Sequence, residues 1–175
     1  VRGVSWSATG IFSGMEMNTA IQVPGFTART QDDSIASFDQ VSAGYVAATG
    51  ARLLQGREFT AEDIAGRERL AMLNQTMARF YFGDRSPVGE YFRMEDTLAY
   101  RIVGVVADLK VTSLEAAPER RFYLPYRNPE TGGPQGLRFQ VRTSGSPSTI
   151  LPQLRAALSA ADPSMVVDEV EPLAV

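Results

Sequence analysis

The side chains in this sequence best suited to chemistry are carboxylates. Asp32-Asp33 and Glu95-Asp96 are adjacent pairs, and Asp108 follows the apolar run Ile102 to Ala107. A carboxylate at the end of a buried strand could serve as a general acid or base. Adjacent pairs lack the alternating oxygen donors of a calcium loop, so both pairs read as solvated loop tips. Asp108 reads as a turn-capping carboxylate. The chain contains no His and no Cys. That removes thiol nucleophiles, disulfides, Cys/His zinc sites, the serine–histidine–aspartate triad and the usual proton shuttle at neutral pH. There is no Gly-x-x-x-x-Gly-Lys loop and no Gly-x-Gly turn opening a helix, which leaves nucleotide and dinucleotide binding without support. No catalytic, cofactor-binding or metal-ligating residue is assigned, and the residues alone read as a domain that is not an enzyme.

The remaining candidates are structural in type. Trp6, Tyr81, Phe82, Tyr91, Phe92, Phe122, Tyr123 and Tyr126 could line a ligand pocket, but their strand and helix spacing reads as core packing. Arg57 and Arg101 flank apolar segments and are expected to pair with acids such as Glu58 or Asp63, contacts of small energetic weight when exposed. Of 17 basic residues only Lys110 is a lysine, a bias we read as genomic.

A length of 175 residues with 44% apolar and 21% charged side chains suits a folded chain with a real core. A net charge of -3 argues against binding nucleic acid by neutralising phosphates. No apolar run approaches the roughly 20 residues of a membrane span. The Val1 start and abrupt end at Pro172-Leu173-Ala174-Val175 read as a piece cut from a longer protein.

Elements able to hold such side chains follow from periodicity. Alternation predicts strands over Val1 to Phe12, with Val4, Trp6 and Ala8 on one face, over Asn18 to Val23, and over Ile35 to Val41. Residues 27 to 34 read as an exposed loop. Ser42 is a candidate cap for a helix from Ala43 to Thr49 that Gly50 ends. Leu53-Leu54 lead to Gly56, and Thr60 to Asp63 is a capping box with Asp in place of Glu. Leu70 to Leu73 reads as a buried strand. Asn74 follows, then a helix from Gln75 to Phe82 with Met77, Phe80 and Tyr81 on one face, stopped by Gly83.

Ser86 to Gly89 is a turn, Tyr91 to Met94 a strand, Glu95 to Thr97 a hairpin tip, and Tyr100 to Val106 a central strand. Asp108 to Arg120 reads as a polar loop or partial strand, Phe122 to Tyr126 as a strand, and Asn128 to Gly136 as a loop. The chain is expected to close with a β-α-β unit. It comprises a strand from Leu137 to Arg142, a helix through Ile150, Leu154, Ala157, Leu158 and Ala161 capped by Thr149 and stopped by Asp162-Pro163, and a strand carrying Met165, Val167 and Val170. Without a repeated β-α-β-α rhythm, the class is α+β.

Several blocks in order resemble the periplasmic core domain of MacB-type ABC transporter permeases. They are Phe38-Asp39-Gln40-Val41-Ser42-Ala43-Gly44-Tyr45 with Thr49-Gly50, and Leu53-Leu54-Gln55-Gly56-Arg57-Glu58-Phe59-Thr60. Leu70 to Arg79 is similar to the family's strand-Asn-helix block, and Ser86-Pro87-Val88-Gly89 to its Asp-Pro-Ile-Gly turn, with Ser for Asp. Arg101 to Asp108 and Tyr123-Leu124-Pro125-Tyr126 match its strands, and Val141-Arg142-Thr143 and Ala160-Ala161-Asp162-Pro163 keep the order.

The resemblance implies a porter-like β-α-β subdomain from residues 1–37 and 137–175, with a smaller mixed α/β subdomain inserted at 38–136. The family's opening strand and helix have no counterpart, which implies an open sheet edge or a compensating dimer contact. It further implies a non-catalytic domain on the extracytoplasmic (periplasmic) side of the cytoplasmic membrane, without cofactors, coupling cytoplasmic ATP hydrolysis to export or mechanotransmission. Implied partners are the transmembrane part of the same chain, the ATP-binding subunit or domain, a second copy in a dimer, and a periplasmic adaptor in some members. The alternative reading is an extracytoplasmic module binding peptide or lipid, motivated by the aromatics and the loop at 128–136. A third, enzymatic, reading would rest on Asp108 or Glu95-Asp96.

Overall fold

The computed structural model describes residues 1–94, 98–127, 136–162, 166–167 and 170. Among them nine strands form one sheet: β1 (Gly3–Ser7), β2 (Met17–Gln22), β3 (Ile35–Val41), β4 (Leu53–Gly56), β5 (Leu70–Asn74), β6 (Tyr91–Met94), β7 (Leu98–Val106), β8 (Arg121–Pro125) and β9 (Arg138–Arg142). β2 pairs with both β6 and β3, so the order β2-β6-β7-β5-β8-β3 returns on itself and closes a barrel. β1 continues from β3 and carries β9 as the outer strand, while β4 pairs with β7. The β3–β8 and β5–β7 pairs are parallel and the others antiparallel. The fold is mixed α and β, with a barrel-like sheet and peripheral helices.

Alternation along the strands divides the apolar side chains between two cores, because successive residues of a strand point to opposite faces. One core takes Ile21, Ala36, Ala71, Leu73, Phe92, Ile102, Val105 and Phe122, from all six barrel strands, together with Met77, Ala78, Tyr81 and Phe82 of a helix. This is the inward face of the closed sheet. The other takes Val41, Leu70, Met72, Val103, Val106 and Tyr123 from the outward face, covered by Tyr45, Val46 and Phe59. β5 and β8 are buried along their whole length, as the unbroken run Leu70 to Leu73 predicts.

The helices are short: α1 (Tyr45–Thr49), α2 (Ala61–Ala65), α3 (Gln75–Phe82) and α4 (Leu151–Ala161). Thr60 and Asp63 form the expected capping box on α2, and Asn74 Oδ1 accepts from Met77 N at 2.9 Å to cap α3. Gly50, at φ 74°, ends α1 as expected. Ser42 does not cap α1. The chain turns through left-handed Gly44 first, and the Ser42 hydroxyl accepts from Trp6 N at 3.0 Å instead. The buried face of α3 is Met77, Ala78, Tyr81 and Phe82. Phe80 lies off that stripe, 38% exposed, with the Arg120 guanidinium 4.5 Å above its ring.

The ends of the chain depart from the pattern. In β1 the serines are inside: Ser5 and Ser7 are fully buried and Val4 is 49% exposed. The cause is the close approach of α1, where a Cβ on Gly3 would lie 3.1 Å from Ala48 Cα. The Ser5 hydroxyl donates to Gln140 Oε1 and the Gln140 amide donates to Ser7 Oγ, so Gln140 faces in and Phe139 lies half-exposed against Trp6.

Thr149 lies in a single 3-10 turn, Pro147–Thr149, and gives α4 no side-chain cap. α4 buries none of its residues. Val167 and Val170 lie outside any strand. Glu95 to Thr97, Asn128 to Gln135, Pro163 and Met165 lie outside the described residues.

Candidate functional site

The structure disperses the carboxylates nominated by the sequence. Asp108 accepts from Thr76 N at 3.0 Å and from Thr76 Oγ1 at 2.9 Å, which places both its oxygens on the first turn of α3. Asp32 pairs with Arg120 at 2.7 Å. Asp33 Oδ2 accepts from the backbone N–H groups of Arg29 and Thr30, and the Arg29 bond leads in holding its carboxyl below the ordinary value. Arg57 donates to Asp63 through both terminal guanidinium nitrogens, Nη1 and Nη2, as expected. Arg101 pairs with Glu68 at 2.7 Å rather than with Glu58 or Asp63, because Glu58 turns back to α1. Glu95-Asp96 lies outside the described residues. Among the described residues no group of three or more His, Cys, Asp or Glu could hold a metal ion.

The nominated aromatics divide the same way. Phe92, Phe122 and Tyr123 are fully buried. Phe122 stacks on Phe38 at 5.4 Å and meets Phe92 edge-on at 4.9 Å, so these rings fill the barrel. Tyr81 and Phe82 are in the same core, while Tyr91 is 50% exposed. Trp6 and Tyr126 are half-buried.

A buried polar centre lies across the β3–β8 pair, and residue types alone did not mark it. Asp39 stands opposite Tyr123, and Ser37 opposite Arg121, so the four side chains share one face. The 2%-exposed Asp39 carboxylate accepts from the backbone N–H groups of Ala8, Thr9 and Gly10 at 3.1, 3.0 and 3.4 Å. It thereby fastens the end of β1 to the barrel. Arg121 is ion-paired with Glu16, and Ser37 donates to Glu16 and Glu119. Burial pushes the Tyr123 and Tyr45 hydroxyls above their ordinary values. Thr9 Oγ1, Arg121 Nη1 and the Tyr123 hydroxyl have no hydrogen-bond partner among the described residues. This centre ties elements together: Ser37, Asp39, Arg121 and Tyr123 are buried, while Glu16 and Glu119 reach the surface.

The open concavity is elsewhere, at the β2–β6 seam. Ile21 stands opposite Met94 and Gln22 opposite Arg93. Pro24-Gly25 then takes the chain off the sheet in a turn closed by Phe26 N to Val23 O at 3.1 Å. Pro cannot continue a ladder and Gly25 sits at φ 80°. The divergence leaves a cleft of about 440 Å³ lined by Ile21, Val23, Phe26, Tyr81, Asp33 and Arg93, among others. The Tyr81 hydroxyl donates to Asp33 O at 2.7 Å, and burial pushes its pKa up to about 12.

A closed barrel with a peripheral β1–β9 extension and a packed core on each face of its sheet defines a mixed α/β domain. Residues 5–173 match the family model of the MacB-like periplasmic core domain, and the chain belongs to that family. Its general role is that of an extracytoplasmic domain of an ABC-transporter-type permease.

Among solved structures, the periplasmic region of MacB from Actinobacillus actinomycetemcomitans is similar at a TM-score of 0.63 and 20% identity. That match covers 90% of this chain and 66% of the MacB region, so the chain spans just under two thirds of that relative's length. The extracellular domain of the noncanonic ABC-type transporter YknZ from Gram-positive bacteria is similar at 0.61 and 17% identity, covering 94% of this chain and 78% of that one. At these identities the likeness is one of fold. No curated protein sequence matches.

Proposed function

We propose that this domain acts without catalysis of its own. It transmits conformational change across the cell envelope, driven by ATP hydrolysis in a cytoplasmic domain or subunit of the same transporter. The observation that carries the reading is membership of the MacB-like periplasmic core family over residues 5–173. The build of the domain supports it: a closed sheet with a core on each face is a stiff body that moves as a unit, as close-packed interiors transmit displacement rather than absorb it. The partners we propose are the transmembrane part of the same chain, the ATP-binding component, a second copy facing this one, and a periplasmic adaptor.

We also propose the division into a porter-like part, residues 1–37 and 137–175, and an inserted part, 38–136. Pairing of the chain's two ends supports it, from Gly3 opposite Arg142 to Ser7 opposite Arg138. β3 runs through the boundary at 37/38 and ties both parts into one sheet. Calorimetric titration of the isolated domain with ATP tests the non-catalytic reading. No heat of binding is expected, and specific saturable binding would contradict it.

A further inference from the structure

Among the described residues, Arg93 is the exposed and unpaired charge of the β2–β6 cleft. Its guanidinium makes no hydrogen bond or ion pair with another described residue, and it lines the cleft beside Ile21 and Val23, which are 3% and 6% exposed. Phe26 and Tyr81 form a wall, meeting edge to face at 4.9 Å. The other charged residue in the lining, Asp33, spends its Oδ2 on the N–H groups of its own turn. The cleft therefore combines an apolar floor, an aromatic wall and, among the described residues, one guanidinium without a protein partner in a volume of about 440 Å³, within the usual range for small-molecule sites.

We infer that this cleft binds a small aromatic carboxylate, its ring against Ile21, Val23, Phe26 and Tyr81 and its carboxylate on Arg93. A guanidinium presents a planar fork that matches a carboxylate with two parallel N–H bonds. A dianionic phosphate fits less well, with a single cation set against the neighbouring Asp33 charge. The site is independent of the coupling role: a domain that transmits motion and one that does not can both carry it.

The test is an NMR titration of the domain with 3-phenylpropanoate and, separately, with its uncharged analogue 3-phenylpropan-1-ol. The expected result is chemical-shift change centred on Ile21, Val23, Phe26, Tyr81 and Arg93, with the carboxylate binding about tenfold more tightly than the alcohol, as for one charge-assisted contact. Arg93→Gln should bring the carboxylate down to the affinity of the alcohol and leave the alcohol unchanged. Phe26→Ala should weaken both. Equal affinities in the wild type, shifts centred elsewhere, no binding of either compound, or an Arg93→Gln variant that keeps the preference would each overturn the assignment.

Discussion

Glu58 Oε1 accepts a 2.6 Å hydrogen bond from Val46 N, so a residue from the strand-to-helix segment after β4 caps the first turn of α1. That turn begins at Gly44, which has no side chain to do so. Burial raises the pKa of Glu58, against the opposing pull of the Val46 N–H.

The sign of that shift fixes a pH dependence. A carboxyl with a raised folded-state value binds its proton more tightly folded than unfolded, so its contribution falls as pH rises from the unfolded value towards the folded one, then levels off. Glu58→Gln keeps an acceptor for Val46 N and removes the titration. Denaturant melts from pH 4 to 7 should show that this variant loses less stability across that range than the wild type. Glu58→Ala removes both the acceptor and the titration, so it should cost about 1 kcal/mol at pH 4, the usual effect of a lost cap, and less as the pH rises. A Gln variant as pH-sensitive as the wild type would contradict the account.

Tyr123→Phe should stabilise the domain. Its hydroxyl is fully buried with no partner among the described residues, and an unsatisfied buried polar group costs about 1–3 kcal/mol. Urea denaturation should show a raised midpoint with an unchanged slope. A lowered midpoint would mean that the hydroxyl is engaged.

Asp39→Ala should be among the most damaging single changes, since it strands the N–H groups of Thr9 and Gly10 in the interior, while Ala8 N keeps its bond to Gln40 O at 2.9 Å. A loss of about 3 kcal/mol or more is expected. Asp39→Asn, which keeps an acceptor, should lose less. Equal losses in the two variants would show that the charge, rather than the acceptor geometry, holds β1 to the barrel.

The pairing of β4 with β7 depends on two glycines that stand opposite each other. A Cβ at Gly104 would stand 2.3 Å from Arg57 O, and one at Gly56, at φ 67°, would stand 2.2 Å from Val103 O. Both obstacles are backbone, so neither can yield by a rotamer change. Gly104→Ala is expected to destabilise by about 3 kcal/mol or more, read as a lowered thermal midpoint. A midpoint indistinguishable from that of the wild type would contradict so close an approach of the two strands.

Legibility in the sequence followed local physics. The Leu70 to Leu73 run, the Thr60–Asp63 box, Asn74 before α3 and Gly50 after α1 could be read because each is determined by its neighbours in sequence. β1 misled because its apolar residues face out: the small Ser5 and Ser7 are inside, where α1 comes close, and that helix comes much later in the chain. The helical spacing of Ile150, Leu154 and Leu158 predicted α4, but not that it would bury none of its residues. Barrel closure depends on β2 pairing on both sides, a non-local fact that no window of sequence contains. The same holds for Asp39, which looks like an ordinary strand position until Tyr123 and Arg121 are set beside it. The cleft arises because Pro24-Gly25 ends a ladder. The turn and both strands were readable, and their pairing was not.

In the proposed function, the barrel moves as a body when the transporter binds ATP. The most direct measurement is an electron–electron distance in the full-length transporter. One spin label is placed at Tyr91→Cys, an exposed site on β6 in a domain without native cysteines, and the other in the transmembrane part. The distance distribution is expected to shift between the nucleotide-free and ATP-trapped states. A distribution that stays fixed while the transporter hydrolyses ATP would contradict it.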